Sequence, residues 1–251
     1  MKRIGLALFG VLLVGLHLGV AADEFTEDVL LPVFVADYPG AQGSIWASEF
    51  VVYNSSTTPI SLSPVCAVAV PCISFWAPAK STSQPIPIPE NADGSPGYNV
   101  KITHQDLPFL ALQLRVFDRS RAGLNFGTTI PVVRWSTVHS NVVRFARVPA
   151  DPRFRHTLRI YSQDGYDSKV TVRYFSDAQT EGAPLFSREY SLVDSNELNP
   201  GYLELSSLSL PPFDGGAYLR IEVTAAAEKR IWGLLSVTNM DTQFVTVLGS
   251  E

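Results

Sequence analysis

Trp46-Ala47-Ser48-Glu49-Phe50-Val51-Val52-Tyr53-Asn54 is echoed 108 positions later by Phe154-Arg155-His156-Thr157-Leu158-Arg159-Ile160-Tyr161-Ser162. Leu114-Arg115-Val116 returns as Leu219-Arg220-Ile221 after 105 positions, and Phe126-Gly127 returns as Trp232-Gly233 after 106. An offset this nearly constant predicts a duplicated unit of about immunoglobulin-domain size.

Strand patterning extends outward from the echo. Leu112, Leu114 and Val116 alternate with Gln113 and Arg115, the pattern of an antiparallel strand with one buried and one wet face. Val170-Thr171-Val172-Arg173-Tyr174-Phe175, Tyr218-Leu219-Arg220-Ile221-Glu222-Val223-Thr224 and Phe244-Val245-Thr246-Val247-Leu248 read the same way. Asp164-Gly165 predicts a hairpin between 158–161 and 170–175, and Asn54-Ser55-Ser56-Thr57-Thr58-Pro59 one between 50–53 and 60–62. The best helix candidate, 225–230, is short enough to be a loop. The predicted fold class is all-β: two antiparallel immunoglobulin-like β-sandwiches in tandem, from an internal duplication. The first is expected over residues 23–147 and the second over 148–251, with Val148-Pro149-Ala150-Asp151-Pro152 as a short stiff linker. Within 77–97, alternate prolines at Pro85, Pro87 and Pro89 cannot donate to a central ladder. That stretch is read as an edge segment or polyproline-like surface loop, with a partner-binding motif as the alternative.

Met1-Lys2-Arg3, an uncharged apolar stretch over 4–20 and the small residues Ala21-Ala22 form a secretory signal peptide over residues 1–22. The expected location is extracellular, periplasmic or cell-surface. Loss of Lys2 and Arg3 leaves 17 basic against 24 acidic residues. That balance argues against nucleic acid and anionic lipid as partners. No later stretch is apolar for long enough to cross a bilayer as a helix, so no membrane insertion is expected once the signal is removed. Cys66 and Cys72 are the only cysteines, and outside the cytoplasm they are expected to pair across a hairpin tip. So small a loop adds about 2 kcal/mol.

No catalytic signature stands out. There is no Gly-x-Ser-x-Gly elbow, and Gly94-Ser95-Pro96-Gly97 lies in the proline-rich stretch without a following helix. His104, His139 and His156 show no short ligand spacing, and His156, at a strand opening, is expected to be exposed. No catalytic metal and no cofactor are expected. Acids cluster in turns, where Asp and Asn bond their own backbone; a structural calcium at Asp164, Asp167 and Asp177 is the alternative. Trp46 and Trp232 recur in the echoes and read as core plugs, which leaves Trp76 and Trp135 as candidate platforms for stacking on a sugar. Asn54-Ser55-Ser56 fits either a glycosylation acceptor or a turn. The segment 29–35 reads as a strand that pairs within its own unit, or as an edge for a donor-strand partner.

Leu31-Pro32-Val33-Phe34-Val35, then Gly43-Ser44 and Trp46, then Val51-Val52-Tyr53-Asn54, resemble exported, uncharacterised bacterial tandem β-sandwich proteins. Asp151-Pro152-Arg153-Phe154-Arg155 looks like the start of their second unit, and Trp232-Gly233-Leu234-Leu235-Ser236 onward like their closing hairpin. The resemblance implies an extracytoplasmic tandem sandwich and supplies no catalytic residue. The function expected is that of a noncatalytic exported protein whose partner is an extracellular protein or a glycan. A carbohydrate-binding module is the first alternative and a hydrolase of unrecognised type the second.

Overall fold

The structure, a computed structural model, describes residues 25–40, 43–64, 75–85, 97–121, 127–164, 168–176, 182–193, 200–206, 208, 218–242 and 244–249. The first part of the chain forms β1 (Thr26–Leu31), β2 (Tyr38–Pro39), β3 (Ile45–Asn54), β4 (Ile60–Pro64), β5 (Phe75–Ala77) and β6 (Ser81–Thr82). It continues with β7 (Tyr98–Thr103), β8 (Leu110–Asp118), β9 (Thr128–Ile130) and β10 (Val133–Arg134). The second part forms β11 (Val142–Pro149), β12 (Phe154–Ser162), β13 (Lys169–Ser176), β14 (Phe186–Ser191), β15 (Gly201–Ser206), β16 (Tyr218–Ala225), β17 (Ile231–Asn239) and β18 (Val245–Gly249). The described residues include two 3₁₀ turns, Leu107–Phe109 and Trp135–Thr137. No helix among them is long and apolar enough to cross a membrane. The helix candidate at 225–230 is the turn between β16 and β17.

Period-two burial explains the strands. In β13 Val170, Val172 and Tyr174 are buried while their neighbours are not, and in β16 Leu219, Ile221 and Val223 repeat the pattern. Such alternation places one apolar face on a core and excludes a helix. The strands assemble antiparallel into four sheets: β10-β1-β7-β4-β5 and β2-β3-β8-β9 in the first unit, β11-β16-β13-β14 and β15-β12-β17-β18 in the second. The short β6 also pairs with β3. β1 pairs with β10 on one side and β7 on the other, so the 29–35 segment begins inside its own sheet.

The two units share one strand order. Matching β1 with β11, β3 with β12, β4 with β13, β5 with β14, β6 with β15, β7 with β16, β8 with β17 and β9 with β18 superimposes the two sheet diagrams apart from β2 and β10, which have no counterpart. The first echo therefore links equivalent strands. The other two do not: Leu114 lies on β8 and Leu219 on β16, which occupy opposite sheets, while Gly127 precedes β9 and Gly233 lies within β17. A longer passage between β14 and β16 widens the offset in the second half, so a constant spacing aligned the wrong strands.

The strand order does not confirm the immunoglobulin-like connectivity. An immunoglobulin sandwich pairs its first two strands in one sheet. Here β1 and β3 lie in opposite sheets, as do β11 and β12. The two turn signals read as hairpins carry the chain across to the facing sheet, β3 to β4 and β12 to β13. Turn residues reverse a chain but do not choose between a partner about 4.8 Å away in the same sheet and one about 10 Å away in the facing sheet. True hairpins join β4–β5, β8–β9, β13–β14 and β17–β18, the last being the expected closing hairpin. β11 runs across the expected cut at 147/148, and its residues Val142 to Phe145 pair with β16.

Each unit has its own core between its sheets. Phe50, Val52, Leu62, Val100 and Leu114 belong to the first, and Phe145, Leu158, Ile160, Val172, Ile221 and Leu235 to the second. The cores are not independent. Leu234 of β17, 1% exposed, packs into the first core, joined by the partly buried Trp232 and Val247. A third cluster of Leu30, Val133, Trp135, Val138, Tyr161 and Tyr202 welds the units.

Candidate functional site at the seam

The outer face of the sheet β15-β12-β17-β18 turns toward the first unit, and its register sorts the side chains into rows. Tyr202, Tyr161 and Trp232 stand side by side; next come Glu204, Arg159 and Leu234; then Ser206, Thr157, Ser236 and Val247; then Arg155, Thr238 and Val245. One strand face therefore grades from aromatic through a charge pair and hydroxyls to a lone arginine. The alternation that buries Leu158 and Ile160 inward sends Arg155, Thr157, Arg159 and Tyr161 outward.

The aromatic end is closed. Tyr161 is fully buried, its hydroxyl donates to the Pro32 carbonyl, and its ring centre lies 5.5 Å from Tyr202 and 5.9 Å from Trp232. Burial pushes the Tyr161 phenol well above its ordinary range. Gly97, at φ +76°, lets the backbone pass this point, where a Cβ would sit 3.0 Å from the Tyr161 ring. Trp135 closes the cluster from the first unit, 1% exposed, with its indole N–H donating to Asn99 Oδ1 at 3.2 Å. Glu27 anchors the turn that carries it: its carboxylate accepts Arg134 Nη2 at 2.7 Å and the Ser136 hydroxyl.

In the second row Arg159 Nε donates to Glu204 Oε2 at 3.1 Å, the side chains being 17% and 20% exposed. Glu204 also accepts the Tyr202 hydroxyl, and the Ser206 hydroxyl at 2.6 Å. Burial opposes ionisation of Glu204. The Arg159 charge and the hydrogen bonds from Ser206, Tyr202 and Arg159 outweigh it and hold the carboxyl below its ordinary value.

Beyond that row the units part and leave a cavity of about 240 Å³. Its floor is Arg155, Thr157, Arg159, Leu234, Ser236, Thr238 and Val247; its opposite wall is Val33, Val35, Trp46, Val116 and Ile130. Tyr38-Pro39-Gly40 forms the rim. Gly40 lies so close to Trp46 that a Cβ there would be 2.4 Å from the indole nitrogen. Arg155 makes no ion pair or side-chain hydrogen bond among the described residues.

The structure separates the residues singled out from the sequence. Trp135 is sealed in the seam, and its covered ring is removed as a sugar platform. Trp76, on edge strand β5, is 63% exposed. Trp46 and Trp232 pack against the first core, as core plugs do. His156 is not exposed: its side chain shares the Leu158 and Ile160 face and is 2% exposed, with Nε2 unpartnered. Burial lowers its pKa, against an opposing backbone hydrogen bond at Pro149. Asn54 is fully buried, donating to the Thr58 and Ala77 carbonyls at 2.9 Å, so it is a turn residue and not a glycan acceptor. Asp164 accepts the Arg230 backbone N–H at 3.3 Å, and its carboxylate lies 4.0 Å from the Arg230 guanidinium. Asp167 and Asp177 lie outside the described residues, as do Cys66, Cys72 and residues 86–96 of the proline-rich stretch. Among the described residues no group of three His, Cys, Asp or Glu side chains is placed to hold a metal.

Arg155, Arg159 and Glu204 were missed in the sequence. The alternation of 154–162 marks the two arginines and Tyr161 as one face, but only the fold shows that another unit lands on it. No protein-family model, curated protein or solved structure matches the chain.

Proposed function

We propose that this chain is a noncatalytic binding protein that acts outside the cytoplasm and engages an extracellular protein or a glycan. The reading is carried by the state of the charges in the seam cavity. Arg159 and Glu204 are locked as an ion pair, with Glu204 held ionised by three donors. A carboxyl held below its ordinary value is not poised to gain and lose a proton near neutral pH, as general acid–base work requires. The cavity offers orientation and complementarity, which suits recognition. The apolar seam makes two units one body, a favourable frame for presenting fixed outer surfaces, and the basic-apolar-small leader supports export. The test uses protein freed of residues 1–22, assayed with ester, peptide and glycan substrates and for retention on defined cell-envelope proteins and polysaccharides. Retention without turnover is expected; hydrolysis of any substrate ends the reading.

Trp76 supports a second reading, glycan recognition on the first unit. It stands opposite Ser61 on the outer face of its sheet, where Ser63, Lys101 and Asp28 form the neighbouring row. An exposed indole beside hydroxyls and charges suits a sugar ring, which has both an apolar face and polar edges. Trp76→Ala is expected to abolish retention on a bound polysaccharide while shifting stability by no more than about 0.5 kcal/mol. Unchanged retention removes Trp76 from the role.

A further inference from the structure

The two arginines of the seam face have opposite circumstances. Arg159 is consumed by Glu204, whereas Arg155, two rows away at the open end, has no anionic partner among the described residues. Glu204 is the only acid on the cavity wall, so the described lining carries two cations against one anion. Thr157 and Thr238 neighbour Arg155 on this face, Ser206 and Ser236 add further hydroxyls, and Val33, Val35, Leu234 and Val247 form an apolar group in the same lining. A guanidinium without an anionic partner, beside an apolar group, favours a ligand with one planar anionic head, because its fork donates two parallel hydrogen bonds to a carboxylate.

Size narrows the class further. At about 30 Å³ for each water volume, 240 Å³ holds about eight waters, or an apolar body of seven or eight carbons. That is below the usual 300–1,000 Å³ of drug-sized sites, which suits a small ligand.

We propose that the seam cavity binds a small amphipathic carboxylate, its head on Arg155 and its apolar body between the Val33–Val35 wall and Leu234. This rests on the reading of the chain as a binding protein. The ligand also touches both units and would tighten the seam.

Calorimetric titration of the protein freed of residues 1–22 with octanoate tests this, with 1-octanol as the uncharged body and Arg155→Gln as the head-group variant. Trp46, on the opposite wall, supplies a fluorescence readout. Octanoate is expected to bind wild type and to lose at least tenfold in affinity both in Arg155→Gln and on replacement by octanol. Arg155→Lys should fall between, keeping the charge without the fork. Equal affinity of wild type and Arg155→Gln, or no heat and no fluorescence change up to about 10 mM octanoate, overturns the proposal. Neither result touches the binding reading, which fails by turnover, or by absence of retention on every defined protein and polysaccharide.

Discussion

β3 and β12 hold equivalent places in the two strand orders, once on a free surface and once under a neighbour. Their inner faces agree: Phe50 and Leu158, Val52 and Ile160, Asn54 and Ser162 are all fully buried. Their outer faces do not. Tyr53 is 45% exposed while Tyr161, its counterpart, is fully buried. Each outer face also carries a cross-strand Arg–Glu pair. Arg115 and Glu49 are 36% and 23% exposed, whereas Arg159 and Glu204 are confined at the seam. A strand of period two thus holds two separate commitments. The inner one follows from its own residues, and the outer one depends on what docks there.

The largest test of the comparison is the tyrosine pair. Tyr161→Ala is expected to cost about 3–5 kcal/mol in denaturant unfolding, from the cavity and the lost bond to Pro32. Tyr53→Ala should stay within about 0.5 kcal/mol. Similar values for the two would mean the units do not share a seam. Next is the ion pair: Glu204→Gln leaves Arg159 underpaired and is expected to cost about 1.5–3 kcal/mol, against about 0–1 for Glu49→Gln. Raising salt should erase the second effect more readily than the first.

A smaller and pH-dependent difference separates Ser48 from His156, equivalent inward positions. Burial lowers the His156 pKa from 6.5, so the unfolded chain binds the proton more readily than the folded one. Its contribution is complete above pH 6.5 and is lost as pH falls through the lowered folded value. His156→Ser, which installs the residue of the first unit, should flatten stability against pH across that interval. An unchanged slope would show that His156 is hydrated in the folded state.

Much of the fold was legible because alternation is local. Leu112, Leu114 and Val116, or Val170, Val172 and Tyr174, need no partner to reveal a half-buried strand. The same alternation carries His156 onto the buried Leu158 face, against the expectation that a histidine at a strand opening is exposed. The crossing of β3 to β4 was not legible, since Asn54 to Pro59 reverse the chain equally well toward either sheet. The seam was legible least: Arg159 and Glu204 are 45 positions apart, and a charged residue on a strand's wet face looks the same whether it meets water or another unit. Trp135 illustrates the converse, because an indole without an echo reads as free until Asn99 and Tyr161 are seen around it.

Leu234 belongs by sequence to the second unit and by packing to the core of the first. Synthesis runs from the N-terminus, so strands β1 to β10 leave the ribosome long before the residue that plugs their core. Until β17 arrives, the Val33–Val35 end of the first unit lies open with apolar surface. The earlier-made half therefore reaches its finished state only when the later half delivers its closing hairpin, and a chain halted after residue 141 is left with that opening uncovered.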